Sequence, residues 1–166
     1  MNLKELGQPM GFKWRIQSVS KNYSSATCVA YIDARDCQDL LDKVCGPENW
    51  QADYKEVKGN LYCGVGIFIN NQWVFKWDCG TESNTEKEKG EASDAFKRAC
   101  VKWGIGRFLY TLGIQYVDTN EKKADRNYPY PIDKQKNKIK DLTFHLNNTS
   151  EVKKRLEQLK KEFGSN

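Results

Sequence analysis

Lys97 and Arg98 stand side by side in the run GEASDAFKRACVKWGIGRF (90–108), with Lys102 and Arg107 behind them. Phe96 and Ala99 flank the pair at positions that belong to a buried helical face. The two cationic heads therefore project from the flank of that face. Adjacent ammonium and guanidinium groups can bracket a phosphate. Cations near a helix C-terminus also have a plain electrostatic purpose, about 0.3–1 kcal/mol against the negative helix end. That accounts for Lys102. It accounts less well for Lys97 and Arg98, which lie well before the stop at Gly104 and Gly106.

Bond-breaking chemistry has little to work with. The one histidine, His145, lies in the tail with no G-x-S-x-G nearby. Six cysteines never fall as C-x-x-C, so a zinc cage is not indicated, and there is no phosphate-binding loop for ATP. Glu48, Asp53 and Lys55 mimic the acid-acid-Lys pattern of metal-dependent nucleases. A separation of five residues between the two acids is a short reach around a hairpin into one magnesium site, which disfavours that reading. No catalytic residue, metal or cofactor is expected.

Charge is unevenly placed. Residues 1–120 hold 15 basic and 15 acidic residues, and 121–166 hold 12 and 7, so the whole excess of +5 lies in the last quarter. Such an excess suits nucleic acid or ordinary solubility equally. The N-terminus lacks an apolar leader and no run approaches the ~20 apolar residues of a membrane span. A cytoplasmic protein with reduced thiols and no membrane partner is expected.

The elements that must position the pair can be read from periodicity. Residues 12–19 and 26–32 alternate as a strand hairpin around KNYSS (21–25). Asp33 caps a helix that runs to about Cys45 and stops at Gly46-Pro47. Strands follow at 50–57, 60–69 and 72–79, joined by Lys58-Gly59 and Asn70-Asn71. Leu61, Cys63, Val65, Ile67 and Ile69 share one face. Gly64 and Gly66 fall on the other, as a mark of close backbone approach rather than a nucleotide fingerprint. Trp73, Phe75, Trp77 and Cys79 also share a face. Tyr54, Tyr62, Trp73 and Trp77 could stack on bases or pack in a core or interface. The capping box Thr85…Glu88, or Ser83…Glu86, then opens the basic helix.

A shorter helix begins at Arg107. Residues 118–148 read as a polar linker and basic arm containing KQKNKIK (134–140). Residues 149–163 read as an amphipathic helix with Val152, Leu156, Leu159 and Phe163 on one stripe, suited to docking on its own chain or on a neighbouring subunit. The expected fold class is α+β: an antiparallel β-meander packed by helices (β-β-α-β-β-β-α core), with a basic C-terminal arm and short helix. The core domain spans 1–117. With five Trp and eight Tyr, its interior is expected to be rich in rings.

Two ordered blocks carry a family resemblance. Tyr31-Ile32-Asp33-Ala34-Arg35, Leu40, Gly46 and Trp50 form the first. Cys79-Gly80-Thr81-Glu82, Glu91-Ala92, Asp94-Ala95-Phe96-Lys97-Arg98-Ala99 and Trp103-Gly104 form the second. Together, over about 3–113, they resemble the Rad-fifty-two type of single-strand annealing proteins, most closely its small phage-borne Sak-like members. The resemblance implies a β-β-β-α scaffold assembled as a ring or helical filament. It implies single-stranded DNA in a basic groove, annealing without ATP in recombination and break repair. Further partners would be an exonuclease or a single-strand-binding protein.

Lys97 and Arg98 match the family's paired groove residues. Arg35 lies one position from its basic residue at the first helix start. Its next groove Arg falls here at Val101, beside Lys102. Arg107 completes the primary set, and Lys55, Lys89, Lys134, Lys136, Lys138 and Lys140 form a secondary one. The alternative is a double-stranded RNA-binding module, which is also α-β-β-β-α but basic at its second helix's start. The start here is mixed, Glu86-Lys87-Glu88-Lys89. The remaining, less favoured readings are a metal-dependent nuclease and a structural oligomer without nucleic acid.

Overall fold

The structure is a computed structural model that describes residues 1–81, 87–121 and 129–164, with backbone alone at 87–89. The expected capping boxes at 83–88 lie outside the residues so described. In chain order the elements are β1 (Lys13–Val19), β2 (Ser25–Tyr31), α1 (Ala34–Cys45), β3 (Trp50–Val57), β4 (Asn60–Ile69), β5 (Gln72–Cys79), α2 (Lys87–Lys102), α3 (Leu109–Leu112), β6 (Gln115–Thr119), β7 (Pro131–Ile132), α4 (Leu142–Asn147) and α5 (Ser150–Phe163). The fold is α+β, with antiparallel sheets and helices packed on them, as the periodicity implies.

The chain divides into two compact units. The first, Met1–Met10 with Ile32–Arg107, holds the meander β3-β4-β5, in which Tyr54, Cys63 and Asp78 stand side by side. Both hairpins turn on two residues of positive φ: Lys58 (52°) with Gly59 (75°), and Asn70 (50°) with Asn71 (63°). Such pairs match the twist of the flanking strands. Cys63, Val65 and Ile67 are wholly buried. α2 lies on β4 and β5 through Ala95, Phe96, Ala99 and Cys100. α1 begins with a reciprocal cap. The Asp33 carboxylate accepts from the Asp36 amide at 3.1 Å, and the Asp36 carboxylate accepts from the Asp33 amide at 2.7 Å.

The second unit, Gly11–Tyr31 with Phe108–Asn166, holds a sheet in the order β1-β2-β6-β7. α4 is tied to β1: the Trp14 amide donates to Thr143 Oγ1 at 3.0 Å and its indole to Asn147 Oδ1 at 2.8 Å. α5 buries Val152 and Leu159, and Arg155 Nη1 donates to the Leu112 carbonyl at 2.8 Å. This amphipathic helix therefore docks on its own chain. The span 118–148 contains β7 and α4.

The interior differs from expectation in one respect. Among the described residues its buried rings are only Trp14, Phe96 and Phe108, and aliphatic and cysteine side chains fill the rest. The other described aromatic residues are half-buried or exposed, where an indole or phenol can keep its polar tip wet. Burial pushes the Cys28 and Cys63 thiols up to about 11, which makes them poor nucleophiles at neutral pH.

Candidate nucleic-acid interface

α2 can present cations because its other side is committed to the sheet. Ala95, Ala99 and Cys100 are fully buried, Lys97 is half-buried and Arg98 is exposed. The small residues let the helix approach closely, and Gly80 at the end of β5 packs against its backbone at Glu91 and Ala95. Just beyond, Asp94 Oδ2 accepts from the Thr81 amide at 3.0 Å, from Thr81 Oγ1 at 3.3 Å and from Arg98 Nε at 3.1 Å. One carboxylate thus ties the strand end to the helix and aims the Arg98 guanidinium. Lys97 has no anionic partner among the described residues.

Burial acts to raise the Asp94 carboxyl, but the hydrogen bonds from Thr81 and Arg98 outweigh it and hold the group below its ordinary 3.8. A depressed carboxyl contributes stability above its unfolded value and loses it as pH falls through the folded one. Asp94→Asn is therefore expected to cost about 1 kcal/mol near neutral pH, after allowance for solvent at the half-exposed Arg98. The gap between the two melting curves should narrow as pH falls below the ordinary carboxyl value of 3.8. Thermal melts across pH 2.5–7 check this, and a gap that stays constant with pH would refute it.

The end of α2 gathers three further cations. Arg107 folds back, donating from Nε to the Val101 carbonyl at 2.8 Å and from Nη2 to the Lys102 carbonyl at 3.0 Å. Lys76 Nζ donates to the same Lys102 carbonyl at 3.0 Å and lies 4.2 Å from the Trp103 ring centroid. Lys102 Nζ stands 3.7 Å from Asp78. Arg107 and Lys76 satisfy the Lys102 carbonyl at the helix end, and the three cations offset its negative pole. They also bring a guanidinium to the turn occupied by Val101. Lys76 was missed from sequence. Its signal was a lysine at an inward register position of β5, between Val74 and Asp78.

Arg35 is exposed in the first turn of α1, where its amide bonds Asp33 and its guanidinium engages no side chain among the described residues. Lys55 on β3 lies 4.0 Å from Asp53 and 4.5 Å from the Trp77 ring centroid. The Lys89 side chain is outside the described set. Lys134, Lys136, Lys138 and Lys140 are all exposed and belong to the second unit. Lys136 stands 4.0 Å from Asp118, and Lys138 lies 5.1 Å from the Tyr130 ring centroid. Another exposed cation on a ring in that unit is Arg15, 5.2 Å from the Tyr31 centroid. Among the described residues, no group of three His, Cys, Asp or Glu could hold a metal, and no helix is long and apolar enough to cross a membrane.

The chain is 38% identical over 114 residues to the single-stranded DNA-binding protein DdrA of Deinococcus deserti, covering 68% of this chain and 56% of that protein. It is 34% identical over 110 residues to DdrA of Deinococcus radiodurans, covering 65% and 52%. The chain thus aligns with about half the length of each. No solved structure matches it significantly. Residues 1–128 match the Rad52/22 family of double-strand break repair proteins, a span that takes in β1 through β6 and the whole of α2, and the chain belongs to that family.

Proposed function

We propose that this chain binds single-stranded DNA along the exposed flank of α2 and anneals complementary strands in break repair by recombination, without ATP and without catalysis. It works as a homo-oligomer, in ring or filament form. The observation that carries the reading is the Lys97–Arg98 pair: two adjacent cations, one aimed by Asp94, on a helix whose opposite side is buried. Family membership and the similarity to the single-stranded DNA-binding DdrA proteins support it. Lys97 and Arg98 grip backbone phosphates, which makes binding independent of sequence and dependent on salt. Arg107 and Lys102 stand at the turn where the family's next arginine is replaced by Val101, and Arg35 is a further contact. The α-β-β-β-α order of the first unit is shared with duplex-RNA modules. Titration of a labelled single strand against a duplex of equal length discriminates. Preference for the single strand, at similar affinity across sequences, is expected, and preference for the duplex would overturn the reading.

The arm lysines capture the incoming strand electrostatically. Removing residues 121–166 would also remove α4 and α5, so substitution is the cleaner test. Exchanging Lys134, Lys136, Lys138 and Lys140 for Gln is expected to slow annealing several-fold at moderate salt and to leave the melting temperature unchanged. Stopped-flow fluorescence measures the rate, and an unaltered rate takes the arm out of the mechanism.

A further inference from the structure

The Gly64–Gly66 spacing has its cause on the face of the meander that α2 leaves uncovered. There the rings of Trp77 and Phe75 lie flat on β4. A Cβ added at Gly64 would stand 2.5–2.6 Å from three atoms of the Trp77 ring, and one added at Gly66 2.6–3.0 Å from three atoms of the Phe75 ring. The row continues. Centroids are 5.8 Å apart from Trp77 to Phe75, 6.4 Å from Phe75 to Trp73 and 5.4 Å from Trp73 to its cross-strand neighbour Phe68. At the far end the rings are bare: Trp73 is 40% and Phe68 36% exposed.

We infer that this aromatic ladder is a docking face for a second copy of the chain. The inference rests on the assembly proposed above and assigns it a surface. Three features favour that occupant. The first is charge. Along the three strands this face carries one acid, Asp53, and one base, Lys55, 4.0 Å apart. On a chain of net charge +5 it is a neutral patch, where two copies meet without repulsion and a polyanion finds no net attraction.

The second is composition. Trp and Phe anchors in an area almost without charge are the make-up of an interface core, where a few buried rings dominate the binding energy. Rings already seated on glycine lose little freedom on docking. The third is size. Three strands about 4.8 Å apart and about eight residues long lay out roughly 350 Å² of plan area. That fits the core of an interface that takes about 800 Å² from each partner, with flanking elements as rim. Bases of a single strand could stack on the same rings, but platforms of that kind are lined by cations that track the backbone.

The test is Trp73→Glu, with Trp73→Phe as the conservative control, by mass photometry over a concentration series. Circular dichroism confirms the fold. Self-association is expected to weaken at least about tenfold in Trp73→Glu, toward the 19.2 kDa monomer, and to persist in Trp73→Phe. An unchanged oligomer overturns the inference. An unchanged oligomer that loses affinity for oligo-dT gives the ladder to nucleobases and overturns it equally. A monomeric wild type defeats the assembly proposal as well, whereas an oligomeric wild type indifferent to Trp73 defeats this inference alone. Should Trp73→Glu fail to fold, hydroxyl-radical footprinting of the unsubstituted chain decides. Oxidation of Trp73 and Phe68 several-fold slower in concentrated than in dilute samples supports the inference, and equal rates refute it.

Discussion

Lys97→Ala combined with Arg98→Ala is expected to remove most of the affinity for single-stranded DNA and to flatten its salt dependence. Each phosphate contacted on a single strand contributes about 0.7 to the slope of log K against log salt. Two lost contacts should therefore lower that slope by about 1.4. Charge-assisted hydrogen bonds are worth about 1.5–3 kcal/mol each, so a combined loss near 3 kcal/mol, roughly a hundredfold in Kd, is expected at moderate salt. The residues that bury α2 are Ala95, Phe96, Ala99 and Cys100, not this pair, so the fold and the oligomer size should survive. Fluorescence anisotropy at four or five salt concentrations measures the slope. A normal slope in the double variant would mean that the α2 flank is not the grip.

Gly80→Ala is expected to produce the largest loss of stability of any single methyl addition in the first unit. Gly80 is buried, and its amide donates to the Leu61 carbonyl at 3.1 Å. A Cβ there would overlap the Glu91 carbonyl oxygen and stand 2.9 Å from the Ala95 amide nitrogen, both of them helix backbone. A flexible side chain could swing aside, but a helix must move as a body. Overpacking of this kind costs about 3 kcal/mol, or roughly 6–12 °C in melting temperature for a chain of this size. Because the Thr81–Asp94–Arg98 tether follows directly, the same change should also misplace Arg98 and weaken DNA binding. Thermal denaturation together with DNA titration checks both. A variant that melts like wild type would show that the β5–α2 junction is loosely packed.

Legibility in the sequence varied with the physical signal. The meander was readable because alternation and positive-φ turn residues agree: Asn70-Asn71 and Lys58-Gly59 each permit one kind of tight turn. The Asp33 cap and the glycine stop of α2 were readable for the same local reason. β6 was not, because two of its three inward positions are Gln115 and Thr119, which leave no apolar alternation to detect. α4 and β7 escaped because they are short and sit in a charged stretch, where tertiary contacts such as those of Trp14 with Thr143 and Asn147 stabilise what local pattern does not announce. The ring-rich interior was misjudged because an alternating strand does not say which face is covered. α2 took the face of Cys63 and Val65, and the rings of β5 stayed outside. The basic pair was legible from its placement beside the buried stripe, but the Asp94 tether and the backward fold of Arg107 depend on geometry that spacing does not encode.

The most direct measurement is the annealing rate of two complementary oligonucleotides, followed by loss of donor fluorescence in buffer free of nucleoside triphosphate. The unsubstituted chain is expected to raise the rate well above that of the protein-free strands, and the Lys97→Ala/Arg98→Ala chain to return it to that baseline. No acceleration by the unsubstituted chain, or full acceleration by the double variant, would contradict the assignment of strand annealing to the α2 flank.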